Sequence, residues 1–251
     1  MRPPRVFKVG GPALEDPSLL APLAREIKGD SRPALVVHGG GRAVDQMLGA
    51  LGLESRFVGG RRETSPENMR VVEMVLSGLV NKALASGLST AGVRAVGVSG
   101  RDGRLVRASL APGLGRVGIP ESVDPTLVRH LWEGGFVPVL SPVSDDPGGQ
   151  PVNVNADEAA LSLARALGAE TLVYLSDVDG VRGEGGLLQA LSPSRAEAWI
   201  ADGTISGGMA LKVRTALEAS RAGIAEVVIA GRARLEGGFS GTRLIHEEGR
   251  A

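Results

Sequence analysis

No cysteine occurs anywhere in the 251 residues, which excludes disulfides and thiolate metal sites and fits a reducing, cytoplasmic setting. Aromatic side chains are only 3% of the chain, too few for the stacking platforms that hold single-stranded nucleic acid. The 28 basic and 28 acidic residues cancel, so the surface as a whole draws no polyanion. No apolar run approaches the roughly 20 residues of a bilayer span, and the first eleven residues lack the apolar stretch of a signal peptide. A cytoplasmic protein with no nucleic-acid and no membrane partner is expected. The histidines, His38, His130 and His246, are scattered without ligand spacing, so no metal site is expected, and His38 reads as a structural residue of its loop. Lysine is also scarce. Lys8, Lys28, Lys82 and Lys212 are the four among 28 basic residues, the rest being arginine. Either codon usage removed the others, or those that remain stand where a compact ammonium is needed.

Hydrophobic residues make up 43% of the chain, enough to bury a sizeable core, and 37 glycines cluster at the ends of β-like runs. Short β-branched runs at 5–9, 34–37, 94–98, 136–140, 171–175 and 226–230 alternate with helical patterns at 17–28, 42–51, 65–88, 125–133, 158–167 and 210–222. Asp102-Gly103 reads as a hairpin turn into a strand at 104–108. The alternation predicts an α/β fold with a mainly parallel sheet and helices on both faces. A glycine-rich tract near residue 148 is the best candidate for a boundary between two lobes.

Three strand-to-helix junctions share one design: Lys8-Val9-Gly10-Gly11, His38-Gly39-Gly40-Gly41 and Ser176-Asp177. Strand carboxyl ends share one edge of a parallel sheet, and helix N-termini there favour phosphate. None matches a familiar glycine signature. A Walker loop needs Lys-Ser or Lys-Thr after its last glycine, the dinucleotide fingerprint fails at Val44, and no Gly-x-Ser-x-Gly accompanies the His-Gly-Gly-Gly run. Lys8 is either an edge lysine reaching water or an anion-facing cation before a glycine pair. Lys212, in a helical stretch, reads on its own as solvated surface, and Asp157 as the cap of the helix that follows.

Read in order, KVGG (8–11), VVHGGG (36–41), FVGGRRET (57–64), VVEMVLSGLVNK (71–82), VGVSGRDG (96–103), NVNADEAA (153–160), LSDVDGV (175–181), DGTISGGMALKV (202–213) and SGTRL (240–244) resemble the amino-acid kinase family. The nearest likeness is to members that phosphorylate N-acetyl-L-glutamate. The motifs span nearly the whole chain, and NVNAD together with GGM-x-x-KV is the specific pair.

The resemblance implies one domain over residues 1–251, a three-layer αβα sandwich around a mainly parallel sheet. It implies an amino-acid lobe at about 1–150 and a nucleotide lobe at about 151–251. It implies that ATP with Mg2+ phosphorylates the side-chain carboxylate of N-acetyl-L-glutamate, in arginine biosynthesis. By residue, Lys8 and Lys212 flank the moving phosphoryl group and Asp157 holds both. Gly40, Gly41, Arg62 and Asn153 form the acceptor site, and the N–H groups of Gly11 and Gly40 meet phosphoryl oxygens. The implied nucleotide contacts are Gly10, Gly11, Asp177, Val178, Asp179, Gly180, Val181, Arg182, Thr204, Ile205, Ser206 and Met209. Departures are the valine after Lys8, Pro12, and Arg61 beside Arg62, which leaves either arginine as the acceptor clamp. Arginine-inhibited members of the family carry an extra N-terminal helix that links dimers into hexamers, and few residues precede the first strand here, so the resemblance implies a homodimer with weak or no arginine feedback.

Overall fold

The computed structural model describes residues 2–10, 17–176, 178–183, 185–231 and 241–245. Gly11 and Asp177, both expected in the nucleotide site, lie outside the described residues. Strand β1 (Arg5–Val9) is followed by a 3-10 turn (Pro17–Leu19), α1 (Leu20–Gly29), β2 (Ala34–His38) and α2 (Gly41–Ala50). A short hairpin, β3 (Arg56–Val58) and β4 (Arg61–Glu63), leads into one long helix. This helix comprises α3 (Pro66–Glu73), a π-helical segment (Met74–Val80) and α4 (Asn81–Thr90). Then come β5 (Ala95–Ser99), β6 (Val106–Leu110), β7 (Val117–Val123), α5 (Thr126–Glu133), β8 (Val137–Ser141), β9 (Val143–Asp145) and β10 (Pro151–Val154). The rest is α6 (Ala156–Leu167), β11 (Thr171–Ser176), the small strands β12 (Arg182–Gly183), β13 (Gly186–Leu187) and β14 (Ala190–Leu191), and α7 (Pro193–Ala201). Helix α8 (Gly207–Arg221), β15 (Glu226–Gly231) and β16 (Thr242–Leu244) follow.

Eight strands form one sheet in the order β14-β16-β15-β11-β1-β2-β8-β5, parallel throughout except where β16 meets β15. Both faces are covered, which is why β1, β2 and β11 are buried along their whole length. Alternate residues of β1 serve opposite cores: Val6 packs with Leu163 of α6 and Leu217 of α8, whereas Phe7 and Val9 pack with Leu23 of α1 and Leu88 of α4. These are the layers of the expected sandwich. Chain order runs from β1 to β2 on one side and later to β11 on the other, so β1 stands at the switch point where a crevice opens beyond the strand ends.

Two expectations need correction. The turn at Asp102-Gly103 does not make a hairpin. Gly103 (φ 60°) and Arg104 (φ 57°) lead the chain out of the large sheet, and β6 joins β7, β9 and β10 in a small closed barrel. Asp102 fixes this exit by accepting from the backbone N–H of Ser99 at 2.6 Å. Second, the helix Pro66–Thr90 is long and apolar enough, by length and composition, to cross a membrane. Its face bearing Val72, Val75, Leu76, Leu84 and Leu88 is buried within the fold. A core helix passes the same test.

Candidate active site

Lys8, Gly10, Gly40, Gly41, Arg61, Arg62, Asn153, Asp157 and Lys212 line a single cleft of about 450 Å³ beyond the carboxyl ends of β1 and β2. Their elements explain the convergence. The turns after β1 and β2 lie against each other, with Gly39 N–H donating to the Val9 carbonyl at 2.8 Å. A methyl group on Gly39 would sit 3.7 Å from the Gly10 Cα. The Lys8 side chain folds back over Gly10, where a Cβ would lie 2.4 Å from its Nζ. Any side chain at position 10 would therefore displace the ammonium.

Lys8 Nζ stands 2.8 Å from Asp157 Oδ1, and both side chains are nearly buried. Asp157 is not the cap of α6. Asn155 fills that role, its Oδ1 accepting from the N–H groups of Asp157 (2.8 Å) and Glu158 (3.4 Å). The Asp157 carboxylate is thereby released to turn toward Lys8. Oδ1 makes a close ion contact with that lysine without the alignment of a hydrogen bond. It retains acceptor capacity for a second cation. Lys212, on the second turn of α8, lines the same cleft, so the surface reading of this lysine is not what the fold shows. Beneath them Tyr174, paired with Lys8 across the sheet, is 1% exposed. Burial first, and then the charges of Asp157 and Glu218, push its phenol well above its ordinary value. The floor is buried, and ionic contacts there are correspondingly strengthened.

At the other end of the cleft Arg62 is 7% exposed. It pairs with Asp45 and Ser55, donates to the Gly41 carbonyl at 2.9 Å, and packs under the Phe57 ring at 4.5 Å. The hydrogen bond from Arg62 holds the Asp45 carboxyl below its usual range. Asn153 donates to Thr64 Oγ1 at 3.1 Å, and Thr64 in turn donates to the Arg62 carbonyl. Arg61 points elsewhere, donating through Nε to Glu158 Oε1 at 3.0 Å. Phe57, Asp45 and the whole β3–β4 hairpin were missed in the sequence. Gly59-Gly60 between Phe57-Val58 and Arg61-Arg62 was the available signal.

Among the described residues expected at the nucleotide, only Gly10 lines this cleft. Of the other described ones, Val178, Asp179, Gly180, Val181 and Arg182 follow the carboxyl end of β11, Thr204, Ile205 and Ser206 lead into α8, and Met209 lies in its first turn. Val181 and Ile205 are buried in the core, so contact with a ligand would fall to their backbone. Val181 N–H is held by Thr242 Oγ1 at 2.8 Å. Gly180 has φ 143°, and a Cβ there would lie 2.7 Å from Thr242 Oγ1. Val178 is exposed, Asp179 crowds Gly231, Arg182 opens β12, Thr204 N–H is held by Asp202, Ser206 precedes α8 and Met209 packs on its core. Among the described residues no group of three or more metal-ligating side chains occurs.

His38 is fully buried, and burial pushes its imidazole down to about 4, the Gly39 carbonyl opposing and Lys82 adding to the shift. The unfolded chain therefore takes up this proton first. The stabilisation is complete above pH 6.5 and is lost as pH falls toward 4. Its size is about 3 kcal/mol. Urea unfolding between pH 7.5 and 4.5 should lose correspondingly more stability in the wild type than in His38→Asn. Equal slopes would remove His38 as the cause.

The description "amino acid kinase family" is that of the family model matching residues 3–231. The acetylglutamate kinase of Rubrobacter xylanophilus is 46% identical over 250 residues, 97% of each chain. That of Chloroflexus aggregans is 42% identical, again over 97% of each. Among solved structures, smu.665 from Streptococcus mutans superposes with a TM-score of 0.86 at 25% identity, covering 98% of this chain and 99% of that one. The family model spans most of the chain and a relative 46% identical matches 97% of it, so the chain belongs to the amino acid kinase family.

Proposed function

We propose that the chain transfers the terminal phosphoryl group of ATP to the side-chain carboxylate of N-acetyl-L-glutamate, a step of arginine biosynthesis. The observation that carries this reading is the Lys8–Asp157 pair, set with Lys212 in one cleft against two glycine turns. The near-full-length likeness to acetylglutamate kinases supplies the acceptor. A carboxylate oxygen attacks the γ-phosphorus, the bond to the β,γ-bridging oxygen breaks, and ADP leaves. The nucleophile is already ionised at neutral pH, so no general base is required. Charge spreads over the transferred oxygens in a loose transition state, and fixed cations and N–H groups are what that state needs. Lys8 and Lys212 serve as those cations. Asp157 restrains both, and Gly40 N–H adds a donor.

Mg2+, carried on the phosphates of ATP, would supply further charge neutralisation beside Lys8 and Lys212. Residues from about 1 to 150 serve mainly the amino acid and those from about 151 to 251 mainly the nucleotide, and the two parts meet where β1 pairs with β11. Cytoplasmic ATP is the phosphoryl source.

Arg62 is the clamp for the acceptor α-carboxylate, held at the cleft wall by Gly41 and Phe57, whereas Arg61 is tied to Glu158. Arg62→Lys should raise KM for N-acetyl-L-glutamate by about tenfold or more, because an ammonium cannot replace the two-pronged fork. Arg61→Lys should change it less. The reverse ranking in steady-state kinetics would transfer the role to Arg61.

A homodimer is supported by Met74 and Leu79, 62% and 60% exposed on the long helix, beside β5 at the open edge of the sheet. Leu79→Glu should shift the elution volume in gel filtration from dimer to monomer. A wild type that already elutes as a monomer contradicts the dimer.

The acceptor is tested by trapping the acyl phosphate with hydroxylamine in parallel reactions containing N-acetyl-L-glutamate, L-glutamate, L-aspartate or carbamate. Turnover should favour the first. A preference for another acceptor would overturn the substrate assignment.

A further inference from the structure

Asn81 begins α4 directly after the π-helical segment, and its side chain is fully buried against the strands of the large sheet. One of its terminal atoms lies 3.2 Å from Lys82 Nζ. An ammonium only donates, so that atom is the oxygen, Oδ1. The other is Nδ2, whose two hydrogens serve three acceptors: one goes to the Val139 carbonyl at 2.8 Å, and the second is shared between the Val98 carbonyl at 3.2 Å and His38 Nε2 at 3.1 Å. Both carbonyls require the same assignment independently. His38 Nε2 must then carry a lone pair, and the ring's single proton sits on Nδ1, 2.7 Å from the Gly39 carbonyl oxygen.

This pins one peptide plane. In a trans peptide the N–H points opposite to the C=O, so a Gly39 carbonyl held toward the ring turns the Gly40 N–H the other way. Gly40 lines the cleft, and no hydrogen bond among the described residues uses its N–H. The π-helical segment closes the other side. A Cβ on Gly40 (φ 140°) would lie 2.8 Å from Leu76 Cδ2 and 3.3 Å from Val80 Cγ2. One widened turn thus packs Leu76 and Val80 on Gly40 and delivers Asn81 to His38.

We infer that Asn81 and His38 are positioning residues that hold the Gly39–Gly40 peptide with its N–H turned into the cleft for a transferred phosphoryl oxygen. The inference rests on the proposed phosphoryl transfer for its kinetic consequence, but not for the tautomer. Neither side chain touches the reacting atoms. Both act through the direction of one N–H, which matters most in the transition state.

The test combines 15N NMR of the histidine rings in the intact protein with kinetics of three variants. Wild-type His38 should be the Nδ1–H tautomer at pH 7.5, and an Nε2–H signal overturns the inference whatever the enzyme phosphorylates. Asparagine at position 38 carries its amide N–H near the place of Nδ1, and glutamine near that of Nε2. His38→Asn should keep kcat within about threefold. His38→Gln should lower it at least about tenfold, with KM changed less than threefold. Asn81→Asp, which cannot donate to Nε2, should reverse the tautomer and lower kcat similarly. Equal kcat losses in the two His38 variants at equal thermal stability, or full kcat in Asn81→Asp with the tautomer reversed, would overturn it. Absence of wild-type turnover with N-acetyl-L-glutamate alongside the Nδ1–H signal would fault the proposed reaction and leave the tautomer intact.

Discussion

Lys8→Met should lower kcat by on the order of 10²- to 10³-fold or more, the loss that follows removal of one preorganised donor to a developing negative charge. Lys8 reaches the cleft from the central strand of the sheet, at the switch point, and is held there by Asp157 at 2.8 Å. A cation fixed in advance costs no reorganisation when charge spreads over the moving phosphoryl group. Methionine keeps the length and apolar stem, so packing against the turn at Gly10 survives. The ammonium alone is lost. Arginine is not a conservative replacement, because the lysine head already lies where a Gly10 Cβ would fall and the wider fork has no room. KM for the acceptor should move far less than kcat, since the charge acts on a group that forms during transfer. Near-normal kcat in Lys8→Met would remove this lysine from the mechanism.

A comparable loss is expected for Lys212→Met, measured the same way. Its carrier is different. Lys212 rides on α8, whose N-cap Ser206 makes no side-chain capping bond, so the first N–H groups of that helix add their positive end to the same edge. The two lysines act on one phosphoryl group through one restraining carboxylate. The double variant should therefore lose less than the product of the single losses. Strictly multiplicative effects would mean that the lysines work on separate steps.

How much of this was legible in the sequence depends on what each residue must do locally. β1, β2, β11 and β15 are buried on both faces and read as unbroken apolar runs. The small barrel did not, because β9 has only three residues and the barrel strands carry polar side chains. The π-helical segment was hidden for another reason: Val72, Val75, Leu76 and Leu79 keep an ordinary helical spacing, and the wider turn lies in the backbone. Helix α7 did carry a signal that the pattern reading passed over, Ser192 capping with Pro193 at the first position. In the site, Lys8 was marked by the glycines that follow it. The role of Asp157 became clear only when Asn155, two residues earlier, was seen to take the cap. Lys212 could not be placed from periodicity at all, because only the fold brings the start of α8 to the cleft that Lys8 lines.

The central claim is that a carboxylate oxygen takes the phosphoryl group, and isotope transfer tests it directly. N-acetyl-L-glutamate labelled with 18O in its side-chain carboxylate is incubated with the enzyme and MgATP, and the acyl phosphate is broken by hydroxylamine at the carbonyl carbon. The released phosphate should retain one 18O from the acceptor, seen by mass spectrometry or as an isotope shift in 31P NMR. Phosphate carrying no label, with its new oxygen drawn from solvent, would mean that water is the acceptor and would contradict the account.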